Sequence, residues 1–101
     1  MALDILLYKN GSLFKREEFN ESLHNEIFKS NNNWRSYLVL RTLSDFYLTD
    51  VKLEQAKIDQ LAQELENMKL FINNKVYISD IDHLINTLKN EECEEIWFVG
   101  D

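Results

Sequence analysis

The chain has 101 residues, a formal net charge of −7, 45% apolar residues, no proline, two glycines and one cysteine. This composition can form a core in a single domain of residues 1–101 and argues against disorder. The negative charge disfavours DNA, RNA and anionic lipid as partners, and no apolar run is long enough to span a membrane. One cysteine cannot form an internal disulfide, which favours a reducing, cytoplasmic setting.

The N-terminal part predicts a strand followed by a helix. Alternating apolar residues over positions 3–8 predict a buried or half-buried strand, and Asn10-Gly11 predicts a tight turn after it. The two apolar residues after the turn either extend a hairpin or lead into the next element. Residues 16–29 carry an apolar residue every four positions, with acidic residues first and a lysine last, which predicts a helix.

The middle of the chain contains one ambiguous segment and one clear helix pattern. Residues 34–48 fit a helix, or a short strand around residues 36–42. Asp50 is a candidate cap for a helix over residues 51–68. The expected apolar stripe of that helix is Ile58, Leu61, Ala62, Leu65 and Met68. The acids expected largely on its opposite face are Glu54, Asp59, Glu64 and Glu66.

The C-terminal part predicts a hairpin, a helix and a last strand. Residues 70–78 resemble two short strands around an Asn-Asn turn, and Ser79 is a candidate helix cap with Asp82 three residues later. An acidic loop then precedes a strand at residues 95–99. The expected fold is α+β: a single compact domain with a small, mostly antiparallel or mixed sheet packed against three to four helices.

The residues with reactive side chains are few and lack the spacing of known sites. His24 and His83 have no orienting group or nucleophile at a recognisable distance in sequence. Cys93 lies between two glutamates, which disfavours a reactive thiolate. No metal-ligand, nucleotide-binding or hydrolase motif is present. We therefore expect no catalytic residue, no metal site and no cofactor.

The distribution of charge is the main functional signal. Residues 1–50 contain 7 acids and 6 bases, whereas residues 51–101 contain 11 acids and 5 bases. An acidic surface can attract and orient a basic partner, with aromatic residues supplying binding energy, although an acidic run can also be only a solvated loop. The candidate partner-binding residues are Asp80, Asp82, Glu91, Glu92, Glu94, Glu95 and Asp101. The candidate aromatic anchors are Trp34, Tyr37, Tyr47, Tyr77 and Trp97.

The overall character of the chain resembles a known class of small proteins. The segments that carry the resemblance are Leu3-Asp4-Ile5-Leu6-Leu7-Tyr8, Ser79-Asp80-Ile81-Asp82 and Glu94-Glu95-Ile96-Trp97-Phe98-Val99-Gly100-Asp101. With its acidity and size, the chain resembles the immunity proteins of bacterial toxin–immunity systems, including those of contact-dependent growth inhibition. The resemblance implies a protein that binds and neutralises a cognate toxin domain, often a basic nuclease. We expect the chain to be a monomer or weak dimer. The alternatives are a phage or mobile-element inhibitor that mimics nucleic acid and, third, a small enzyme.

Overall fold

The computed structural model describes residues 3–30, 32–45, 48–90 and 93–100. These residues form an α+β domain, as expected. Its elements are β1 (Leu3–Lys9), β2 (Ser12–Phe19), α1 (Glu21–Phe28), β3 (Asp50–Glu54), α2 (Gln55–Met68), α3 (Lys75–Leu88) and β4 (Glu95–Val99). Short 3-10 turns lie at Asn33–Ser36, Leu40–Leu43 and Lys69–Phe71.

The four strands form one sheet in the order β2-β1-β4-β3, and every neighbouring pair is antiparallel. The first two strands make a hairpin at the predicted turn, where Asn10 has a φ of 52° and Gly11 a φ of 76°. Asparagine and glycine tolerate this left-handed backbone conformation better than other residues. In the strand order given above, β1 and β4, the first and last strands of the chain, are the two central strands of the sheet.

All three helices pack on the same face of this sheet. The inward side chains of β1, Leu3, Ile5 and Leu7, lie in one apolar cluster with Ile96 and Phe98 of β4. The buried residues of α1, α2 and α3 belong to the same cluster. The outward apolar side chains of β1 and β4 do not, so among the described residues no helix covers the second face of the sheet.

The helix predicted over residues 16–29 is wrong in its first part. Residues up to Phe19 form β2, and the helix begins only after Asn20, whose side chain accepts a hydrogen bond from the Leu23 N–H at 3.1 Å. The glutamates that were expected in the first helical turns, Glu17 and Glu18, lie in the strand. Pairing with β1 decides this segment, because the apolar spacing alone fits a helix across the boundary.

Two further segments differ from the prediction. Residues 50–54 pair with β4 as a strand, so α2 begins at Gln55 and not near Asp50. The expected hairpin at residues 70–78 is instead a 3-10 turn followed by α3, which Asn74 caps by accepting the Val76 N–H at 2.9 Å. Ser79 lies inside that helix. Of the ambiguous segment 34–48, the described part forms neither a long helix nor a strand, only two 3-10 turns.

The buried stripe of α2 is confirmed, but Glu64 is not on the exposed face. Ile58, Leu61, Leu65 and Met68 are all buried, and Glu64 is only 6% exposed. Its Oε1 accepts the backbone N–H of Val39 at 3.1 Å and of Leu40 at 2.7 Å. Its Oε2 accepts the side-chain N–H of Gln60 at 2.8 Å. This carboxylate therefore holds the irregular segment between α1 and β3 on the core.

Replacing Glu64 should destabilise the fold although the residue is charged. Glu64→Ala leaves two buried backbone N–H groups without an acceptor, which costs about 1–3 kcal/mol of unfolding free energy or more. Glu66→Ala is the control, because Glu66 is 51% exposed in its ion pair with Lys69 and should cost less than about 1 kcal/mol. Denaturant unfolding of both variants measures the difference. Equal losses would contradict the buried role of Glu64.

A buried histidine holds the same segment from α1. His24 is 2% exposed, and its ring lies 5.4 Å from the ring of Phe19 and 4.4 Å from that of Phe28. Its Nε2 donates to the carbonyl oxygen of Leu43 at 2.7 Å. Burial lowers the pKa of His24 below the usual 6.5, while the hydrogen bond to Leu43 acts in the opposite direction. The neutral imidazole is therefore the form that the folded chain accommodates.

Stability should fall when the pH drops below the ordinary histidine pKa. Because the folded-state pKa of His24 is lowered, the unfolded chain binds a proton first as the pH falls below 6.5. The unfolding free energy should therefore decrease from about pH 6.5 to about pH 5, before most carboxylates titrate. Denaturant unfolding at several pH values across this range tests the expected decrease in unfolding free energy. His24→Asn should remove the slope, whereas His83→Asn should keep it, since His83 is 72% exposed.

Candidate functional site: the uncovered face of the sheet

The second face of the sheet is the most distinctive surface of the domain. We call it the uncovered face and define it by the outward side chains of the four strands. They are Asp4, Leu6, Tyr8, Leu13, Arg16, Glu18, Asp50, Lys52, Glu54, Glu95, Trp97 and Val99. Strand alternation places them there, because their immediate neighbours in β1, β3 and β4 point into the core.

Aromatic and apolar side chains occupy the centre of the uncovered face. Leu6, Tyr8, Trp97 and Val99 lie on the two central strands and are partly exposed. The rings of Tyr8 and Trp97 are 6.1 Å apart, and the Trp97 Nε1–H donates to Glu95 at 3.0 Å. A partly exposed tryptophan whose polar atom is already oriented is a typical anchor of protein interfaces.

Carboxylates face each other at both ends of this apolar strip. Asp4 lies directly opposite Glu18, and Glu54 lies directly opposite Glu95. Like charges in directly opposed positions of a sheet destabilise it. Lys52 relieves only the second pair, because its Nζ is 3.4 Å from a Glu95 oxygen and 5.9 Å from the centre of the Trp97 ring. The uncovered face therefore carries electrostatic repulsion that a cationic partner would remove.

Removing one carboxylate of the Asp4–Glu18 pair should stabilise the isolated domain. Glu18→Gln is expected to raise the unfolding free energy by about 0.2–1 kcal/mol, less at high salt, because it relieves the repulsion. Glu17→Gln in the same strand is the matched control. The Lys15 Nζ and the His83 Nε2 each lie 3.3 Å from a Glu17 oxygen, so replacing Glu17 removes favourable contacts and should not stabilise. Unfolding at low and high salt measures both, and a loss of stability at Glu18 would contradict the repulsion.

The structure brings together only some of the acids that the sequence singles out. Glu94 and Glu95 lie at the start of β4 and line one shallow depression with Glu54 and the hairpin turn. Glu94 also has a structural role, because its carboxylate accepts the Asn10 N–H at 3.0 Å. Three of the predicted partner-binding acids, Glu91, Glu92 and Asp101, lie outside the described residues.

The two predicted acids of α3 belong to another part of the molecule. Asp82 forms an ion pair with Lys69 at 2.6 Å, and Asp80 lines a cleft beside β2. They do not take part in a helix N-terminus, since α3 begins at Lys75. Asp80 and Asp82 therefore do not join Glu94 and Glu95 in one patch on the sheet.

Sequence analysis missed four acids of the uncovered face: Asp4, Glu18, Asp50 and Glu54. The alternation of side chains in β1 places Asp4 on the same face as Leu6 and Tyr8, so this position is predictable from the sequence. The other three could not be placed, because their segments were assigned to helices. Of the candidate anchors, Trp34, Tyr37 and Tyr77 pack against the core, Trp97 lies on the uncovered face, and Tyr47 is outside the described residues.

The remaining candidate chemistry has a structural explanation. Cys93 is buried, its Sγ–H donates to the Glu95 carbonyl at 3.3 Å, and burial raises the pKa of the thiol. The His83 ring is exposed, and in the described part of the chain its hydrogen-bond partner is Glu17, at 3.3 Å. Within the described residues no group of three histidine, cysteine or acidic side chains is placed to bind a metal ion.

Comparison with known proteins gives no relative for this chain. No family model, no curated protein and no solved structure matches it. In the part of the chain that the structure describes, no helix has both the length and the apolar composition needed to cross a membrane.

Proposed function

We propose that this chain is an immunity-type binding protein that captures a basic protein, a toxin domain, through the uncovered face and neutralises it by covering its functional surface. The proposal places this encounter in the cytoplasm, where the single cysteine stays reduced. It assigns no catalytic step and no cofactor to the chain.

The observation that carries the proposal is the pairing of carboxylates at the ends of a partly exposed apolar and aromatic strip. A sheet face that served only as surface would gain stability from opposite charges in opposed positions. Here Asp4 opposes Glu18, and Glu54 opposes Glu95. Proteins retain such unfavourable local arrangements mainly where function requires them. A basic surface supplies the missing counter-charges.

The carboxylates and the aromatic side chains of the uncovered face contribute to binding in different ways. Carboxylates at the ends of the strip accelerate the encounter with a basic partner and orient it. Trp97 and Tyr8 provide apolar area near the centre, where most binding energy of protein interfaces is concentrated. The charges therefore control chiefly the association rate, and the aromatic residues the dissociation rate.

The alternative function, a nucleic-acid mimic, needs a continuous row of negative charge. Register places Arg16 and Lys52 in the same cross-strand row as Leu6 and Trp97. Two cations and two apolar side chains thus separate the acids at the two ends. This arrangement favours a partner with its own apolar patch over a protein whose surface is adapted to a phosphate backbone.

Co-expression tests the proposed function. The product of the adjacent open reading frame should arrest bacterial growth when expressed alone, and this chain should restore growth and bind that product directly. Asp4→Asn combined with Glu18→Gln should slow association and weaken its salt dependence. Trp97→Ala should weaken the affinity about 30-fold, as expected when an interface anchor worth about 2 kcal/mol is removed.

The matched control is Asp59→Asn combined with Glu66→Gln, which removes the same charge from the exposed side of α2. It should leave association nearly unchanged. Thermal melts establish that every variant is folded. Absence of growth rescue, or an equal effect of the α2 control, would overturn the proposal.

A further inference from the structure

A cleft between β2 and α3 adjoins the uncovered face. Its apolar floor is formed by buried side chains: Ile5, Phe19, Leu23 and Leu84. Glu17 stands on the strand side, and Asp80 and His83 stand on the helix side. Glu18 lines the cleft as well and belongs to the uncovered face, so a partner on that face could reach the cleft around the edge of β2.

The size of the cleft limits what it can hold. Its volume is about 210 Å³, below the 300–1,000 Å³ of typical small-molecule and cofactor sites. The volume fits one side chain. An apolar floor below two carboxylates suits a long cationic side chain, whose methylene groups pack on apolar surface while the charged end stays at the rim.

We infer that this cleft binds one arginine side chain of the basic partner. The inference rests on the proposed function and specifies the side chain of the partner that this cleft would recognise. A guanidinium carries five N–H donors in a planar fork, so it can bond a carboxylate on each wall, which a compact lysine ammonium matches less well. Arginine is also the cation most enriched among the energetic anchors of interfaces.

The carboxylates of the cleft are open to such a ligand. No hydrogen bond or ion pair links the Asp80 side chain to another described residue. Glu17 has two side-chain partners, Lys15 and His83, but Lys15 is 49% and His83 is 72% exposed. Exposed pairs of this kind contribute little, so an arginine can replace them. Burial raises the pKa of Glu17, but the hydrogen bonds with His83 and Lys15, together with the smaller effect of their charges, outweigh burial and lower the pKa below its usual value, so this carboxylate is ionised at neutral pH.

The test uses Nα-acetyl-L-arginine methylamide as the probe and amide NMR of the isolated domain as the readout. The probe should shift the resonances of Glu17, Asp80 and Leu84, and the uncharged citrulline analogue should not. Asp80→Asn should weaken binding of the probe about tenfold, because it removes the negative charge that strengthens the hydrogen bond from the guanidinium. Asp82→Asn on the same helix is the matched control and should bind normally, since Asp82 pairs with Lys69.

The following results would overturn the inference. Equal shifts with citrulline, or unchanged binding in both Asp80→Asn and Glu17→Gln, would remove the cleft as the site. Equal binding of the lysine analogue would show a general cation site. Tighter binding of free L-arginine would indicate a site for the amino acid itself. If growth rescue depends on Trp97 but the probe does not bind, the proposed function is supported and the cleft is not an arginine site.

Discussion

The buried carboxylate of Glu64 is the interaction on which the helical layer depends. The described residues between α1 and β3 form only two short 3-10 turns, so neither a long helix nor a strand satisfies their backbone groups. Glu64 supplies acceptors for Val39 and Leu40, and His24 donates to Leu43 from the other side. With these bonds in place, Val39, Leu40 and Leu43 can be buried without orphaned donors. An irregular segment thereby becomes part of the core.

Because every helix and this segment lie on one side of the sheet, the other side has no internal cover among the described residues. An antiparallel sheet can expose one face to water, usually with polar side chains there. Here the two central strands instead present Leu6, Tyr8, Trp97 and Val99. Partial burial by neighbouring side chains makes this face compatible with a stable monomer, and its apolar centre supports the proposal that a partner covers it.

Some acidic side chains of the domain have a structural partner within the fold, and others have none among the described residues. Glu64, Glu94 and Asp82 each have a partner within the fold, so their charges are accounted for by stability. Among the described residues, Asp4, Glu18 and Asp80 form no ion pair with a cation, and the first two oppose each other. A net charge of −7 therefore does not describe one acidic patch. What supports the proposed function is the position of unpaired acids around exposed aromatic residues and around one small cleft.

The sequence by itself determined the α+β class, β1, β4, the Asn10-Gly11 turn and the buried stripe of α2, because each depends on periodicity or on a local backbone preference. Only the tertiary structure decided that residues 12–19 and 50–54 are strands, since pairing with β1 stabilises the first and pairing with the distant residues 95–99 stabilises the second. It also decided that Glu64 is buried and that Asp4 meets Glu18. A helix stripe predicts which side faces the core, but not whether distant backbone N–H groups will meet a carboxylate there. Charge partners are likewise set through space, by register and packing, which local periodicity does not encode.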